Sequence, residues 1–415
     1  MLRQALVTLS ISLLIPILHA LIFRSDELYS LLIYGYSTPR ALSASITLFG
    51  SITLVLITPC NSNFFKLKNY VLAFVSFVAM LYVLKRDLDT NLLLKYSNLS
   101  IQNHDLSNKI ILVTGANSGV GYGISKTFSN LGATVVMGCR SIKKCTKASE
   151  SITGIGKTIP MTLDLASFQS IDDFSTLFLQ QFQSIDIAFF NAGFAGAPSS
   201  GKRVTTEGYE LGLGTMHFGH FVLYKRLEEI LLNTKDTRIV MTSSAASQIP
   251  YLARFDESLF NDPPGDIHGE IVTVNSQYPR SKLANVLFAR HLQTLYPTKI
   301  TTCSCHIGAV DTSIWSGSKG GVLKSIIDSY TKLSMRSIEE GTRTLLKCAL
   351  SNDASIVNQG VYLDGMGIVV NEDRMHPPSK NDTLAKRLWA VSENVFLKRQ
   401  KHVNNIKWLL NGNRT

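Results

Sequence analysis

The chain is poor in charge, and the shortage is uneven. Charged residues make up 17% of its 415 positions, and hydrophobic residues make up 45%. Most of the apolar excess lies before position 90, whereas the remainder has the mixed composition of a soluble protein. This imbalance excludes a single soluble domain and predicts a membrane-embedded region followed by a soluble unit.

Metal-binding signatures are also missing. The six cysteines form no pair of C-x-x-C motifs, and we interpret them as buried free thiols in a reducing compartment. The histidines at 217, 220, 268 and 306 are not spaced as metal ligands and are expected to be structural. We therefore predict no metal site. The cysteines are Cys60, Cys139, Cys145, Cys303, Cys305 and Cys348.

The formal net charge of +11 is not accompanied by a nucleic-acid signature. Lys and Arg are scattered over the soluble part, and no basic helix or alternation of basic and aromatic residues occurs. We predict no nucleic-acid partner and expect attraction to an anionic membrane surface instead.

Three apolar stretches are candidates for membrane-spanning helices. Residues 5–23 and 41–59 carry no charge, and about 20 apolar residues are enough to cross a bilayer. The third stretch, 69–85, is marginal in length. The first stretch is alternatively a secretory signal, but no small-x-small cleavage pattern follows it. Residues 1–95 are thus predicted to be a membrane anchor with two to three helices.

The orientation of this anchor is weakly specified. Basic residues flanking the stretches are nearly balanced and slightly favour a cytosolic soluble part. Sequons at Asn98, Asn381 and Asn413 would indicate the lumen if they were glycosylated. We predict a multi-pass protein of the endoplasmic reticulum whose soluble part faces the cytosol.

Three residues of the soluble part indicate proton-transfer chemistry. Ser244 lies in RIVMTSSAA, and Tyr278 and Lys282 lie in YPRSK. A spacing of four residues puts the phenol and the amine on one face of a helix. A nearby ammonium stabilises a phenolate and lowers the phenol pKa from its usual value of about 10. Tyr278 is therefore predicted to exchange a proton with a carbonyl/alcohol pair.

A glycine-rich turn precedes these residues in the chain. It follows a strand-like run at 110–113, and an amphipathic helix then continues to about Leu131, before a second run at 134–137. Gly115, Gly119 and Gly121 lack the Cβ atoms that would keep a pyrophosphate away from the backbone. The pattern predicts a βαβ nucleotide-binding unit.

The type of residue after the second strand distinguishes a preference for NAD from a preference for NADP. An acid at this point would bind the ribose hydroxyls and repel a 2′-phosphate, but the sequence reads Cys139-Arg140. A guanidinium pairs with phosphate, and Lys143 and Lys144 follow closely. We predict NADP(H), with a solvated basic helix start as the alternative interpretation.

Eight stretches in this order resemble the short-chain dehydrogenase/reductase family, and within it the retinol-dehydrogenase-like branch. The resemblance implies an α/β fold, a Rossmann-type doubly wound parallel sheet, over 105–395 and preceded by the α-helical transmembrane region. The stretches are TGANSGVG (114–121), DLAS (164–167), NAG (191–193), EGYELGLGTMHFGHFVL (207–223), RIVMTSSAA (238–246), YPRSKLANVLFAR (278–290), HIGAVDT (306–312) and EEGTRTLL (339–346).

The resemblance implies roles for individual residues. Ser244 would polarise the substrate carbonyl, Tyr278 would be the acid/base, and Lys282 would tune the phenol and bind the nicotinamide ribose. Asp164 would contact the adenine, unless it merely caps a helix. The implied cofactor-binding residues are Gly115, Asn117, Ser118, Gly119, Val120, Gly121, Arg140, Asp164, Leu165, Asn191, Ala192, Gly193, Tyr278, Lys282, Gly308 and Thr312.

Three positions depart from the family pattern. Met216 replaces an asparagine that supports a water molecule near the lysine, and this puts the proton relay in doubt. Phe190 replaces the first asparagine of N-N-A-G, and Ile307 replaces a proline before Gly308. The last two changes are expected to affect turns rather than chemistry.

Two segments are expected to cover the site. The insert that contains FNDPPGDIHGE predicts a loop, because Pro-Pro-Gly continues neither a helix nor a strand. Residues 315–338 are interpreted as an amphipathic substrate cover or, equally, as a core-packed helix. The basic tail, 396–415, either lies on a membrane surface or packs on the domain.

The sequence thus predicts a membrane-anchored NADP(H)-dependent oxidoreductase that interconverts a lipophilic carbonyl and its alcohol. Retinal-, prenal- and steroid-like substrates all fit, with membrane lipid as a second partner. The alternative is a catalytically weakened family member that acts as a nucleotide- or lipid-binding scaffold, motivated by Met216. No oligomer is indicated.

Overall fold

The computed structural model describes residues 104–194, 204–249, 253–255, 260, 274–308, 310 and 336–412. They belong to one unit that begins at Tyr96. Within these ranges no helix combines the length and the hydrophobicity that crossing a membrane requires. The predicted membrane spans, the Pro-Pro-Gly insert and all but the end of the predicted cover lie outside the described residues.

Seven parallel strands form one sheet, in the order β3-β2-β1-β4-β5-β6-β7. This order is that of a doubly wound sheet, which confirms the predicted Rossmann-type fold. The strands are β1 (Ile110–Thr114), β2 (Thr134–Cys139), β3 (Lys157–Thr162), β4 (Ile187–Phe190), β5 (Thr237–Ser243), β6 (Ile300–His306) and β7 (Val361–Leu363).

Helices cover both faces of the sheet. A short turn (Leu211–Leu213) and a π turn (Gly214–Phe218) lead into α4, and 3₁₀ turns occur at Ala245–Gln248, Glu372–Arg374 and Pro377–Lys380. The helices are α1 (Gly119–Asn130), α2 (Ile142–Glu150), α3 (Phe168–Gln181), α4 (Gly219–Asn233), α5 (Val274–Leu295), α6 (Ile338–Leu350) and α7 (Asp382–Gly412).

The strands are apolar on both sides because each side meets helices. Alternate residues therefore enter two cores. One core, with α3, α4, α5 and α7, takes Leu112, Val136, Ala188, Ile239 and Met241. The other core, with α1, α2 and α6, takes Ile111, Val113, Val135, Met137 and Val240.

The local signals near the glycine turn are confirmed by the structure. The predicted strand and helix bounds agree with β1, α1 and β2 within one or two residues. Helix α1 ends where Gly132 takes a φ of +91°, a conformation that favours glycine and stops the helix. Helix α6 begins with a capping box between Ser337 and Glu340.

Aromatic packing fixes helix α7 to the domain. The ring of Trp389 lies 5.0 Å from that of Phe221 on α4 and 5.6 Å from that of Phe288 on α5, measured between centroids. Phe396 is also buried in this core, although the predicted tail begins at that residue. The first residues of the tail therefore pack on the domain.

The cysteine interpretation needs correction. Two disulfides are present, Cys139–Cys145 and Cys303–Cys348, and among the described cysteines only Cys305 is a buried free thiol. The sulfur atoms of Cys303, Cys305 and Cys348 lie within 4.8 Å of one another. The sequence did not reveal these pairs because each depends on how a strand meets a helix.

Candidate active site

The predicted site residues converge at the carboxyl edge of the sheet. The glycine turn follows β1, Arg140 follows β2, and Asp164 comes shortly after β3. Residues 191–193 follow β4, and Ser244 follows β5. Strand order reverses between β1 and β4, which is where ligands bind in open α/β sheets.

The glycine turn forms a cradle that side chains would fill. Gly115 and Gly119 have φ values of +68° and +55°, which favour glycine. A Cβ atom at Gly121 would collide with the carbonyl oxygen of Gly115 and lie 2.8 Å from the Asn191 amide nitrogen. Ser118, the N-cap of α1, makes no side-chain capping hydrogen bond. The helix N-terminus and turn therefore fit a pyrophosphate.

Thr114, a residue that sequence reasoning missed, fixes the floor of this cradle. Its buried hydroxyl accepts hydrogen bonds from the backbone N–H groups of Asn191 (2.9 Å) and Ala192 (3.0 Å). The Asn191 side chain donates to the Thr114 carbonyl (3.1 Å) and accepts from Thr242 (3.2 Å). Asn191 thus joins the ends of three strands at the floor of the cradle.

The adenosine end of the cradle has two polar side chains. Arg140 is exposed immediately after β2. Asp164 is half-buried, and its carboxylate accepts a hydrogen bond from the N–H of Ala166 (3.0 Å). Leu165 is buried and lies where a Cβ atom at Gly219 would collide with it.

Ser244 and Tyr278 form the candidate reactive pair. Their side chains are hydrogen-bonded to each other, which lowers the pKa of Tyr278, but burial raises it more and is the larger effect. The net pKa of Tyr278 is therefore raised, opposite to the direction predicted from the neighbouring lysine. A neutral phenol is a proton donor, so the pair suits carbonyl reduction.

Lys282 lies beside the ring of Tyr278 and is held by the neighbouring strand. Its Nζ atom is 5.5 Å from the centroid of the Tyr278 ring and donates a hydrogen bond to the Thr242 carbonyl (3.0 Å). Burial lowers the pKa of Lys282 to about 8. The ammonium is thus positioned by β5, close to where a nicotinamide ribose would lie.

Helix α5 is joined to β5 by further hydrogen bonds. The Asn285 side chain donates to the same Thr242 carbonyl (3.0 Å), and the Ser243 hydroxyl donates to the Lys282 carbonyl (2.8 Å). Together they fix the helix that carries Tyr278 against the strand that ends at Ser244. Asn285 was not predicted, although it lies in the family stretch YPRSKLAN.

Comparison with known proteins identifies the family. Residues 109–255 match the short chain dehydrogenase model. Dehydrogenase/reductase SDR family member 13 from Bos taurus is 32% identical over 70% of this chain and 74% of its own length. Retinol dehydrogenase 11 from Homo sapiens is 31% identical over 69% and 85%. This chain belongs to the short-chain dehydrogenase/reductase family.

One solved structure shows the same fold. An uncharacterized protein from Mycobacterium paratuberculosis is 24% identical, with a TM-score of 0.53, and covers 71% of this chain and 96% of its own. Like other dehydrogenases of the family, this chain is an oxidoreductase acting on CH–OH groups.

Met216, which departs from the pattern of the short-chain dehydrogenase/reductase family, lies inside the site. A Cβ atom at Gly193 would be 3.1 Å from both the Met216 sulfur and the Lys282 Nζ atom, so the two side chains meet at this glycine. Met216 is buried in the π turn before α4. The thioether of Met216 therefore lies beside Lys282, where the asparagine of the family pattern would support a water molecule.

The π turn is held by a neutral histidine. Burial lowers the pKa of His220 to about 4, so its ring carries one proton at neutral pH. Nδ1 lies 2.9 Å from the Met216 carbonyl oxygen and must donate to it, and Nε2 then accepts from the Thr114 hydroxyl (2.9 Å). This histidine links the π turn to the cradle floor, consistent with its predicted structural role.

Tyr362 on β7 supports the loop that carries Ser244. Its hydroxyl donates to the Ser244 carbonyl (3.3 Å), which also accepts from the Ser247 hydroxyl (2.7 Å). Sequence reasoning missed this residue because nothing in the sequence reveals that β7 lies next to β6.

The nicotinamide end is only partly described. Gly308 has a φ of +80°, and a Cβ atom there would collide with the Arg336 side chain at 2.7 Å. Arg336 is a further residue that sequence reasoning missed, and it donates hydrogen bonds to the Ile307 and Gly365 carbonyls. Thr312 lies outside the described residues.

Restoring asparagine at Met216 should raise the reduction rate several-fold. A polar side chain beside Lys282 would lower the cost of burying the ammonium, so the lysine pKa should rise from about 8. Steady-state kinetics and the pH–rate profile of Met216→Asn measure both effects, with Met216→Leu as the apolar control. An unchanged profile in Met216→Asn would contradict this expectation.

Proposed function

We propose that this short-chain dehydrogenase/reductase is a membrane-anchored, NADP(H)-dependent enzyme that reduces a lipophilic aldehyde or ketone to its alcohol. The hydrogen-bonded Ser244–Tyr278 pair beside Lys282 is the observation that carries the proposal. When bound, the cofactor supplies the hydride. The protein positions the carbonyl and moves the proton.

The proton step follows from the residues of the site. The Ser244 hydroxyl donates a hydrogen bond to the substrate oxygen and polarises the carbonyl. Tyr278 then gives its phenolic proton to that oxygen as negative charge develops. The ammonium of Lys282 stabilises the phenolate that remains, and oxidation of the alcohol follows the same path in reverse.

The preference for NADP(H) is supported by Arg140. Its exposed guanidinium follows β2 directly, and the first turn of α2 contains no acidic residue. A carboxylate at this position would repel the 2′-phosphate, whereas a guanidinium binds it through charge-assisted hydrogen bonds.

A lipophilic substrate is supported by the relatives and the amino-terminal sequence. Two relatives are named retinol dehydrogenases, 11 and 14, both from Homo sapiens. The uncharged stretches at 5–23 and 41–59 suit an anchor in the endoplasmic reticulum, with the catalytic domain in the cytosol. Such an anchor brings the site close to substrates that partition into lipid.

The test is cofactor oxidation by membranes that contain the full chain. NADPH and NADH are compared across retinal-, prenal- and steroid-like carbonyls and fatty aldehydes. We expect turnover with NADPH and at least one lipophilic carbonyl. No turnover with any substrate, together with unaltered lipid and nucleotide binding in Tyr278→Phe, would favour the scaffold alternative.

The reduction rate should fall above about pH 8. Because the pKa of Lys282 is lowered to about 8, its ammonium loses charge there and no longer stabilises the phenolate. Below that pH the charge is present and the rate should be level. Lys282→Arg, whose guanidinium stays charged, should have a lower plateau without the fall near pH 8. A fall at the same pH in both proteins would assign it to another group.

A further inference from the structure

The Cys139–Cys145 disulfide encloses the segment that carries Arg140. Cys139 is the last residue of β2, and Cys145 lies in α2, with their Cα atoms 5.9 Å apart. Both cysteines are buried, whereas the residues between them are exposed. The bond therefore joins the two ends of residues 140–144, here called the phosphate loop, which comprise the connection at 140–141 and the first turn of α2.

We propose that Cys139 and Cys145 form a reversible dithiol–disulfide site that sets the affinity for the 2′-phosphate of NADPH. The proposal rests on the NADP(H) preference proposed above. The disulfide form holds the phosphate loop in the arrangement that binds, and the dithiol form binds the same cofactor more weakly.

Both redox forms fit the fold without rearrangement of the sheet. Each sulfur lies near the Met137 carbonyl oxygen, Cys139 at 3.6 Å and Cys145 at 3.2 Å. In the dithiol form this one carbonyl oxygen, which has two lone pairs, accepts a weak hydrogen bond from each S–H group. Neither thiol is therefore left without a partner. The residues that reduction affects are the exposed ones between the two cysteines, chiefly the connection at 140–141, since 142–144 are held in α2.

The disulfide should strengthen NADPH binding because it restricts the conformations of the phosphate loop before the cofactor binds. Arg140 follows Cys139 directly, so its backbone is tied at one end to β2 and, through the disulfide, to α2. A ligand that orders a flexible loop loses part of its binding free energy to that ordering. NADH has no 2′-phosphate and does not need the Arg140 contact, so its affinity should change little.

The surroundings of the pair favour thiol exchange. Arg140, Lys143 and Lys144 are exposed beside it, and Cys145 lies near the N-terminus of α2. Cations and helix N-termini stabilise a thiolate. The other disulfide, Cys303–Cys348, belongs to the same apolar core but joins β6 to α6, away from these cations.

The exchange is balanced with glutathione disulfide as the oxidant. A Cys145 thiolate attacks one glutathione sulfur, which forms a mixed disulfide and releases one glutathione thiolate. The Cys139 thiolate then attacks the Cys145 sulfur and releases the second glutathione. The protein loses two electrons and two protons, and glutathione disulfide becomes two thiols.

The test uses the full chain in detergent, equilibrated with glutathione buffers of different ratio. Alkylation followed by peptide mass mapping reports the Cys139–Cys145 bond, and NADPH and NADH fluorescence reports their dissociation constants. We expect oxidation to tighten NADPH binding about three- to tenfold and to leave NADH binding unchanged. Cys145→Ser should bind NADPH with the affinity of the reduced protein at every ratio, whereas Cys348→Ala should respond like the native chain.

The outcomes separate the two proposals. A bond that never forms, or one that forms without changing NADPH affinity while NADPH is still preferred, refutes the redox site alone. An equal change for NADH refutes the role assigned to the phosphate. Equal binding of NADPH and NADH in both redox states refutes the NADP(H) preference and, with it, the effect assigned to the disulfide. The comparison of redox states in the native chain needs no variant to fold.

Discussion

Tyr278→Phe should lower kcat for carbonyl reduction by about 10³- to 10⁴-fold, because it removes the proton that the substrate oxygen must receive. The ring remains, and only its hydroxyl and the hydrogen bond to Ser244 are lost. Cofactor affinity should be nearly unchanged. Stopped-flow or steady-state measurement of NADPH oxidation gives kcat, and fluorescence gives the cofactor dissociation constant.

Tyr296→Phe is the matched control for this experiment. It removes a hydroxyl that donates to Glu228 (3.1 Å), and Tyr296 follows the last residue of α5, whereas Tyr278 lies near the first. Its kcat should stay within about twofold of the native value. A Tyr278→Phe enzyme that keeps more than about a tenth of the native rate would remove Tyr278 from the acid/base role.

Arg140→Asp should raise the KM for NADPH by about 100-fold and improve the use of NADH. The change removes a charge-assisted hydrogen bond to the 2′-phosphate, worth about 1.5–3 kcal/mol, and adds a repelling carboxylate. The same carboxylate can accept hydrogen bonds from the ribose hydroxyls of NADH. Initial rates with both cofactors at a fixed carbonyl concentration measure the switch.

Lys235→Asp provides the control for charge reversal. Lys235 is exposed in the turn before β5, at the amino edge of the sheet. It changes the net charge by the same amount and should leave the ratio of NADPH to NADH use unaltered. If Arg140→Asp also leaves that ratio unaltered, the guanidinium does not bind the phosphate.

The elements near the glycine turn were predictable because local rules govern them. Apolar runs of strand length flank a turn of glycines, and the structure places β1, α1 and β2 there. Ser244, Tyr278 and Lys282 were predictable as a group because family order adds to the helical spacing of four. Their convergence needed only that parallel strands share a carboxyl edge.

The features that the sequence did not reveal depend on contacts between distant segments. The pKa of Tyr278 is raised because burial outweighs the hydrogen bond with Ser244, and burial is not visible in YPRSK. The disulfides and the Tyr362 contact join segments whose adjacency only the fold reveals. The hydrogen bonds by which the Asn191 side chain joins three strands also depend on the fold, and the cofactor role of its turn stays a prediction.

The hydrogen bonds between α5 and β5 hold the proposed catalytic residues in place without the segment that connects these two elements. Thr242 and Ser243 hold Lys282 and Asn285 directly, so the relation of Ser244 to Tyr278 does not depend on the 24 residues from 250 to 273 that connect them. Changes in that connection that spare the buried Ala253 should leave the proton donor in place. An ancestor of this enzyme could therefore acquire new substrates by changes in this one connection, with its reaction preserved.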